Sequence, residues 1–122
     1  MGLFDTTQLG LEQALSGAAL RQRAIANNIA NANTAGYKRT DVDFHSALAE
    51  ALAAPDAKSK LKSLSFQTQT DDSTSTRADG NNVDIEQEMA NLSETSLEYQ
   101  SLIAVSRARN TMLQIAMGTR QS

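Results

Sequence analysis

Two stretches of the chain place apolar and small residues at the 4-3 spacing of a helix that packs along one seam, and they lie at its two ends. Near the N-terminus the positions are Phe4, Gln8, Leu11, Leu15, Ala18, Gln22, Ile25, Ile29 and Ala32. Near the C-terminus they are Ile85, Met89, Leu92, Ser96, Tyr99, Ile103, Ser106, Asn110, Leu113 and Met117. Each run predicts a long helix. The first is expected over about residues 7–33, with Asp5, Thr6 or Thr7 as its N-cap. It runs into Asn27, Asn28, Asn31 and Asn33, a residue type that prefers caps and turns. Gly36 supplies the break, and Tyr37 leads out. The second helix is expected from Asp84 to about Met117, with Gly118 beyond its end. Its opening, D-I-E-Q, matches a capping box with Asp84 as N-cap and Gln87 at the third helical position. Such a helix is about 50 Å long.

Between the ends the pattern weakens. Phe44, Leu48 and Leu52 fall on one face of a short helix over 43–53, closed by Pro55, the single proline. From Asp56 to Asn82 the composition turns to Ser, Thr, Asp, Gln and Lys. There the alternation of Leu64, Phe66, Thr68 and Thr70 permits a short strand, Asp71 to Thr76 reads as a loop, and Asp79-Gly80 marks a turn. The expected fold class is therefore all-α, an antiparallel coiled-coil hairpin of N- and C-terminal helices with a small irregular middle. The expected organisation is 1–36 as N-terminal helix and turn, 37–82 as a short helix plus flexible polar middle, and 83–122 as C-terminal helix.

Charge supplies the direction of pairing. The C-terminal helix is acidic early (Glu86, Glu88, Glu94, Glu98) and basic late (Arg107, Arg109, Arg120), which suits its macrodipole. The N-terminal segment is reversed, with Asp5 and Glu12 before Arg21, Arg23, Lys38 and Arg39. Antiparallel alignment sets each acidic half beside a basic one. A register in which paired residue numbers sum to 117 or 118 brings Gln22 to Ser96, Ala18 to Tyr99 and Gln8 to Asn110. Sliding by one heptad would bury the Gln22 amide against apolar surface at about 1–3 kcal/mol. Leu97, Leu102, Val105, Met112 and Ile115 lie off the narrow seam and form a second apolar strip. A hairpin uses one strip, so the second wants another subunit.

Composition narrows the function classes. Only 4% of the 122 residues are aromatic, so large core-formers are scarce, and the chain is expected to gain order by packing against copies or partners. A net charge of −3 argues against nucleic acid, which calls for a concentrated basic face. There is no cysteine for a disulfide or thiolate site. The opening MGLFDTTQLG lacks the basic and apolar regions of a cleavable signal peptide, and no run approaches a membrane span. His45 stands alone and reads as a surface or capping residue, and Asp41, Asp43, Asp71 and Asp72 read as turn and cap residues. No phosphate loop, nucleophile elbow or catalytic dyad is present, so neither an enzyme, a cofactor nor a small-molecule substrate is expected.

The segment from Leu20 to Lys38, LRQRAIANNIANANTAGYK, resembles the N-terminal signature of bacterial flagellar rod and hook proteins. The segment Asp79 to Met89, DGNNVDIEQEM, with Tyr99-Gln100 beyond it, is similar to the C-terminal signature of the proximal rod members of that family. The resemblance covers roughly residues 1–53 and 77–117, and the short length suits a proximal rod protein. One departure is Ala35, where the family carries Pro before the turn glycine. The resemblance implies a structural subunit whose paired terminal helices stack into a helical tube around an export channel and transmit torque. Its implied partners are other copies, other rod proteins, and the rod-base adaptor, export gate and membrane-ring proteins. It implies a periplasmic rod, reached by type III export without a cleaved signal, with Leu3 and Phe4 as the suspected apolar export patch. It also implies that Asn27, Asn28 and Asn31 make polar contacts between subunits. A cytoplasmic coiled-coil adaptor or export chaperone is the competing reading, since it too would be small, acidic and helical.

Overall fold

The computed structural model describes residues 2–121, and side chains over 6–118. Helix α1 spans Gly2–Ala30 and helix α4 spans Ile85–Gln121, 29 and 37 residues respectively. Between them come strand β1 (Thr40–Asp41), α2 (Phe44–Ala53), α3 (Ala57–Ser63) and β2 (Gln69–Thr70). The fold is mostly helical, with the two terminal helices packed together and a sheet of only two short strands.

The pairing of α1 with α4 is antiparallel. Gln22 Nε2 donates to Ser96 Oγ at 3.0 Å, the pairing expected from the register. Arg21 Nη1 reaches Thr95 Oγ1 at 3.1 Å, and Arg109 Nη1 reaches Gln8 Oε1 at 2.5 Å, one residue from the expected Asn110. Tyr99 packs against the cluster that contains Ala18.

The face that α4 turns inward differs from the expected seam. Glu88 and Thr95 are buried, and Leu92, Tyr99, Leu102, Ser106 and Arg109 are half-buried. The expected seam residues Leu92, Ser96, Tyr99, Ile103 and Ser106 are also half-buried, but the buried side is turned toward the residues before Met89, Ser96 and Ile103, and Met89 is exposed. Ile85 and Met89 are left about half exposed, at 48% and 52%. Leu102, expected on the outer strip, packs inside. The physical reason lies in hydrogen bonding: Glu88 and Thr95 have polar partners waiting on α1 and at Arg39, just before β1, and an unpaired buried polar group costs more than an exposed methionine. Leu113 is 36% exposed and Met117 59% exposed.

Other boundaries also moved. The candidate caps Asp5, Thr6 and Thr7 fall inside α1, whose first turns tolerate acidic and hydroxyl residues near the positive end of the helix dipole. Helix α4 runs through Gly118 instead of ending before it; one glycine lowers helix propensity by only about 1 kcal/mol. The expected second helix is α2, capped by Asp43, whose carboxylate accepts from Ser46 N at 3.3 Å. Helix α3 lies where only polar loop was expected. Its Leu61 is fully buried, and Gln13 of α1 donates to the carbonyls of Leu61 at 2.7 Å and Leu64 at 3.3 Å. The expected strand shrinks to β2, which pairs antiparallel with β1, Thr40 opposite Thr70. Leu3 and Phe4 lie outside the described side chains.

Helices α2 and α3 pack on the face of α1 that α4 leaves free. Phe44, at 1% exposure, is the centre of this layer, with Phe66 edge-on at a centroid distance of 6.1 Å. It fits because Gly17 faces it: a Cβ at that position would stand 2.6 Å from the Phe44 ring.

Candidate functional site

At one end of the helix pair the two signature segments are bound to each other. The first turns at Gly36, whose φ is +76°, and the second at Gly80, whose φ is +84°. Only glycine takes such angles without strain. The two turns lie back to back: a Cβ on Gly80 would stand 3.4 Å from Gly36 Cα. Gly36 N donates to Asp79 O at 2.8 Å, and Lys38 Nζ to Gly80 O at 2.7 Å.

Asn81, with no exposure, fills the end of α1. Its Nδ2 donates to the carbonyls of Asn31 at 2.8 Å, Ala32 at 3.1 Å and Thr34 at 2.8 Å, while its Oδ1 accepts from Val83 N at 2.7 Å. These carbonyls belong to the turn that follows α1, so an amide from a segment 50 residues away braces the chain just where it leaves the helix. Arg77 adds bonds to the Ala32 carbonyl and, at 2.7 Å, to that of Val83.

Deeper in, Asn28 and Arg39 join both long helices to the sheet. Asn28 Oδ1 accepts from Thr40 N at 2.9 Å and Tyr37 Oη at 3.0 Å. Its Nδ2 donates to Thr40 O at 2.8 Å and Glu88 Oε2 at 3.2 Å. Two donors and two acceptors exhaust this amide. The other carboxylate oxygen of Glu88 accepts from Arg39 Nε at 2.5 Å. Arg39 also pairs with Asp71, and at 3.4 Å with Asp41, which Arg21 Nε reaches at 3.1 Å. Asn82 Oδ1 accepts from Arg39 N at 2.7 Å, and its Nδ2 donates to Asp71 O at 2.6 Å. Every buried side-chain polar atom among the described residues has a partner. Burial disfavours the Arg39 charge, but the bond to Glu88 and the charges of Glu88, Asp41 and Asp71 outweigh it and raise its pKa. The Asp71 carboxyl is held below its ordinary range, first by bonds from the Ser73 hydroxyl and backbone, then by Arg39.

This clasp revises the polar residues singled out in the sequence. Asn28, expected to face another subunit, is fully buried within the chain, and its hydrogen-bonding capacity is met there. Asn31 is half-buried and donates to Asn27 O at 2.8 Å one turn back, while Asn27 and Asn33 are exposed. Tyr37 is half-buried, its hydroxyl on Asn28. Asp84 caps α4, its Oδ1 accepting from Glu86 N at 3.1 Å and Gln87 N at 3.3 Å. The reciprocal half of the capping box is absent, because the Gln87 side chain reaches forward to Asn91 Oδ1 at 3.1 Å. His45 is exposed, its Nε2 at 2.7 Å from Glu98 Oε1. Among the described residues no group of three or more His, Cys, Asp or Glu is placed to hold a metal ion.

The seam positions divide in two. Ala18 and Ile25 of α1 are buried, and Leu11, Leu15, Gln22 and Ile29 half-buried. On α4, Leu92, Ser96, Tyr99 and Ile103 are half-buried, whereas Ile85, Met89, Leu113 and Met117 are exposed. Sequence reasoning missed Arg39, Asp71, Asn82 and Glu88 as clasp residues. The available signal was the pairing of two specific motifs, each rich in asparagine and each built on one glycine turn.

The clasp and the helix pair together define a class. Residues 11–38, which include the first turn, match the family described as flagella basal body rod protein. Relatives named flagellar basal body rod protein FlgB extend the match over most of the chain. The one from Bacillus subtilis is 37% identical over 84% of this chain and 86% of its own length. That from Aeromonas hydrophila is 36% identical over 80% and 82%, and that from Escherichia coli K12 32% identical over 85% and 88%. The chain belongs to the FlgB family of flagellar basal body rod proteins.

Proposed function

We propose that the protein is a structural subunit of the flagellar basal-body rod. In this reading many copies stack their paired terminal helices into a tube that surrounds the export channel and passes torque outward. The observation that carries it is the shape of α4. Its first half is committed to α1 and the clasp, whereas every residue from Asn110 to Gly118 is exposed although Met112, Leu113, Ile115 and Met117 are apolar. Monomers rarely leave so much apolar surface uncovered on one element. A stiff helix pair of about 50 Å is a unit that can be stacked side by side. The relatives' names place those proteins in the basal body.

Finer features follow from the same reading. The rod lies in the periplasm, and the subunit leaves the cytoplasm through the flagellar export apparatus without a cleaved signal. Its neighbours are other copies, other rod proteins, the rod-base adaptor, the export gate and the membrane ring. Electron microscopy of basal bodies isolated from cells that carry a tagged chain is the test. Label at the base of the rod, and rodless basal bodies when the chain is deleted, are the expected results. A tagged chain that stays in the cytoplasm, bound to export substrates, would instead identify an export chaperone.

A further inference from the structure

Each terminal helix keeps one heptad strip that no other element covers. On α4 the exposed strip carries large apolar residues: Leu97 is 67% exposed, Val105 53%, Met112 67% and Ile115 63%. They lie roughly opposite the face that holds Thr95, Tyr99 and Ser106 against α1. On α1 the corresponding strip is made of small residues, exposed Ser16, Ala26 and Ala30 and half-buried Ala19, with exposed Arg23 among them and Glu12 at its start. It lies away from both the α4 and the α2 faces. One strip offers knobs and the other a shallow groove that lets a helix come close.

We infer that the large strip of α4 in one copy seats on the small strip of α1 in the next, an antiparallel, head-to-tail contact between copies of this chain. The charges decide the occupant. Arg23, Glu94 and Arg107 make no ion pair or side-chain hydrogen bond among the described residues. Antiparallel seating of α4 on a neighbour's α1 with Leu97 over Ala19 sets Glu94 beside Arg23 and brings Arg107 within about a turn of Glu12. All three cations and anions then find opposite partners while the apolar knobs are covered. Copies stacked with a common direction meet in this orientation, because α1 and α4 are antiparallel within each. The two strips are different surfaces of one molecule, so the contact is heterologous and propagates to a ring or a helix instead of closing as a dimer. A two-fold pairing of α4 with α4 would cover the large strip but end at two copies and leave the α1 strip bare. The inference rests on the rod-subunit reading and specifies its lateral contact.

The absence of cysteine makes disulfide trapping clean. Ala19→Cys and Leu97→Cys are introduced at exposed or half-exposed sites, in separate full-length chains expressed together, and basal bodies are isolated and oxidised. Each variant alone is expected to stay monomeric on a denaturing gel, the mixture to yield a dimer, and the double variant to yield a ladder of multimers. A dimer from Leu97→Cys or Ser101→Cys alone would overturn the inference in favour of two-fold pairing. Cysteine chains present in basal bodies but never crosslinked would overturn it as well. Absence of the wild-type chain from basal bodies refutes the rod reading itself, a separate outcome read from the same preparation by immunoblot.

Discussion

The two ends of the helix pair are built on opposite principles. At the clasp end, around Asn28, Arg39, Asn81 and Glu88, the buried groups are mostly polar, and each is held by partners from segments 40 to 60 residues away. At the far end, beyond Asn110, α4 carries apolar residues that are exposed. Elsewhere in the fold apolar burial does the ordinary work, as at Phe44 and Leu61. The contrast shows which contacts the chain keeps for itself and which it leaves for others. Polar contacts with strict geometry fix the internal register, because a half-satisfied buried network is worse than none. Apolar contacts, which tolerate imprecise fit, face outward.

The largest effect should come from breaking the clasp at its centre. Arg39→Ala leaves Glu88, 1% exposed, with a single amide partner, and is expected to cost about 3–5 kcal/mol. Glu88→Ala should cost less, since Arg39 keeps Asp71 and Asp41. Urea unfolding followed by helical circular dichroism would rank them, and the reverse order would refute the assignment of Glu88 as the dependent partner. Asn81→Ala removes one of the donors on each of three carbonyls and should cost about 1–3 kcal/mol, with hydrogen-exchange protection lost first in the turn after α1. Gly17→Ala lies between the two ends. Its methyl must displace Phe44, so about 1–3 kcal/mol is expected, with the loosening confined to α2.

Acid should weaken the clasp end selectively. The folded-state pKa of Asp71 is depressed, so below about 3.9 the unfolded chain binds more protons than the folded one. The stability this carboxylate contributes is complete above that value and is lost as pH falls through the lower folded value. Arg39, with its raised pKa, stays charged throughout. Asp71→Asn should flatten the dependence of the thermal midpoint on pH below 4; an unchanged slope would mean that other carboxylates carry it. The smallest effect is expected at the open end. Met112→Ser, at 67% exposure, should leave monomer unfolding within about 0.5 kcal/mol of wild type while reducing incorporation into basal bodies. A large loss of monomer stability would show that Met112 already has an internal partner.

How much of this was legible varied with the range of the interaction. The 4-3 repeats announced both long helices, because periodicity is a local property of a helix. Opposed charge gradients announced their antiparallel pairing, and matching of polar seam residues placed Gln22 at Ser96. Helix α3 was hidden because AKSKLKS carries one apolar residue, Leu61, whose burial depends on Gln13 and α1 lying above it. In the sequence Glu88 is only one of the acidic residues early in α4. Only the approach of Arg39, brought back beside Asn28 of α1 by the turn at Gly36, makes burying it favourable and turns α4 to suit. The chain's own order thus determined which segments are helical, how long they are and which way they run, since propensity, capping and charge act over a few residues. The tertiary structure alone decided which face of α4 turns inward, because a hydrogen bond between Asn28 and Glu88, 60 positions apart, has no meaning until the chain between them has folded back.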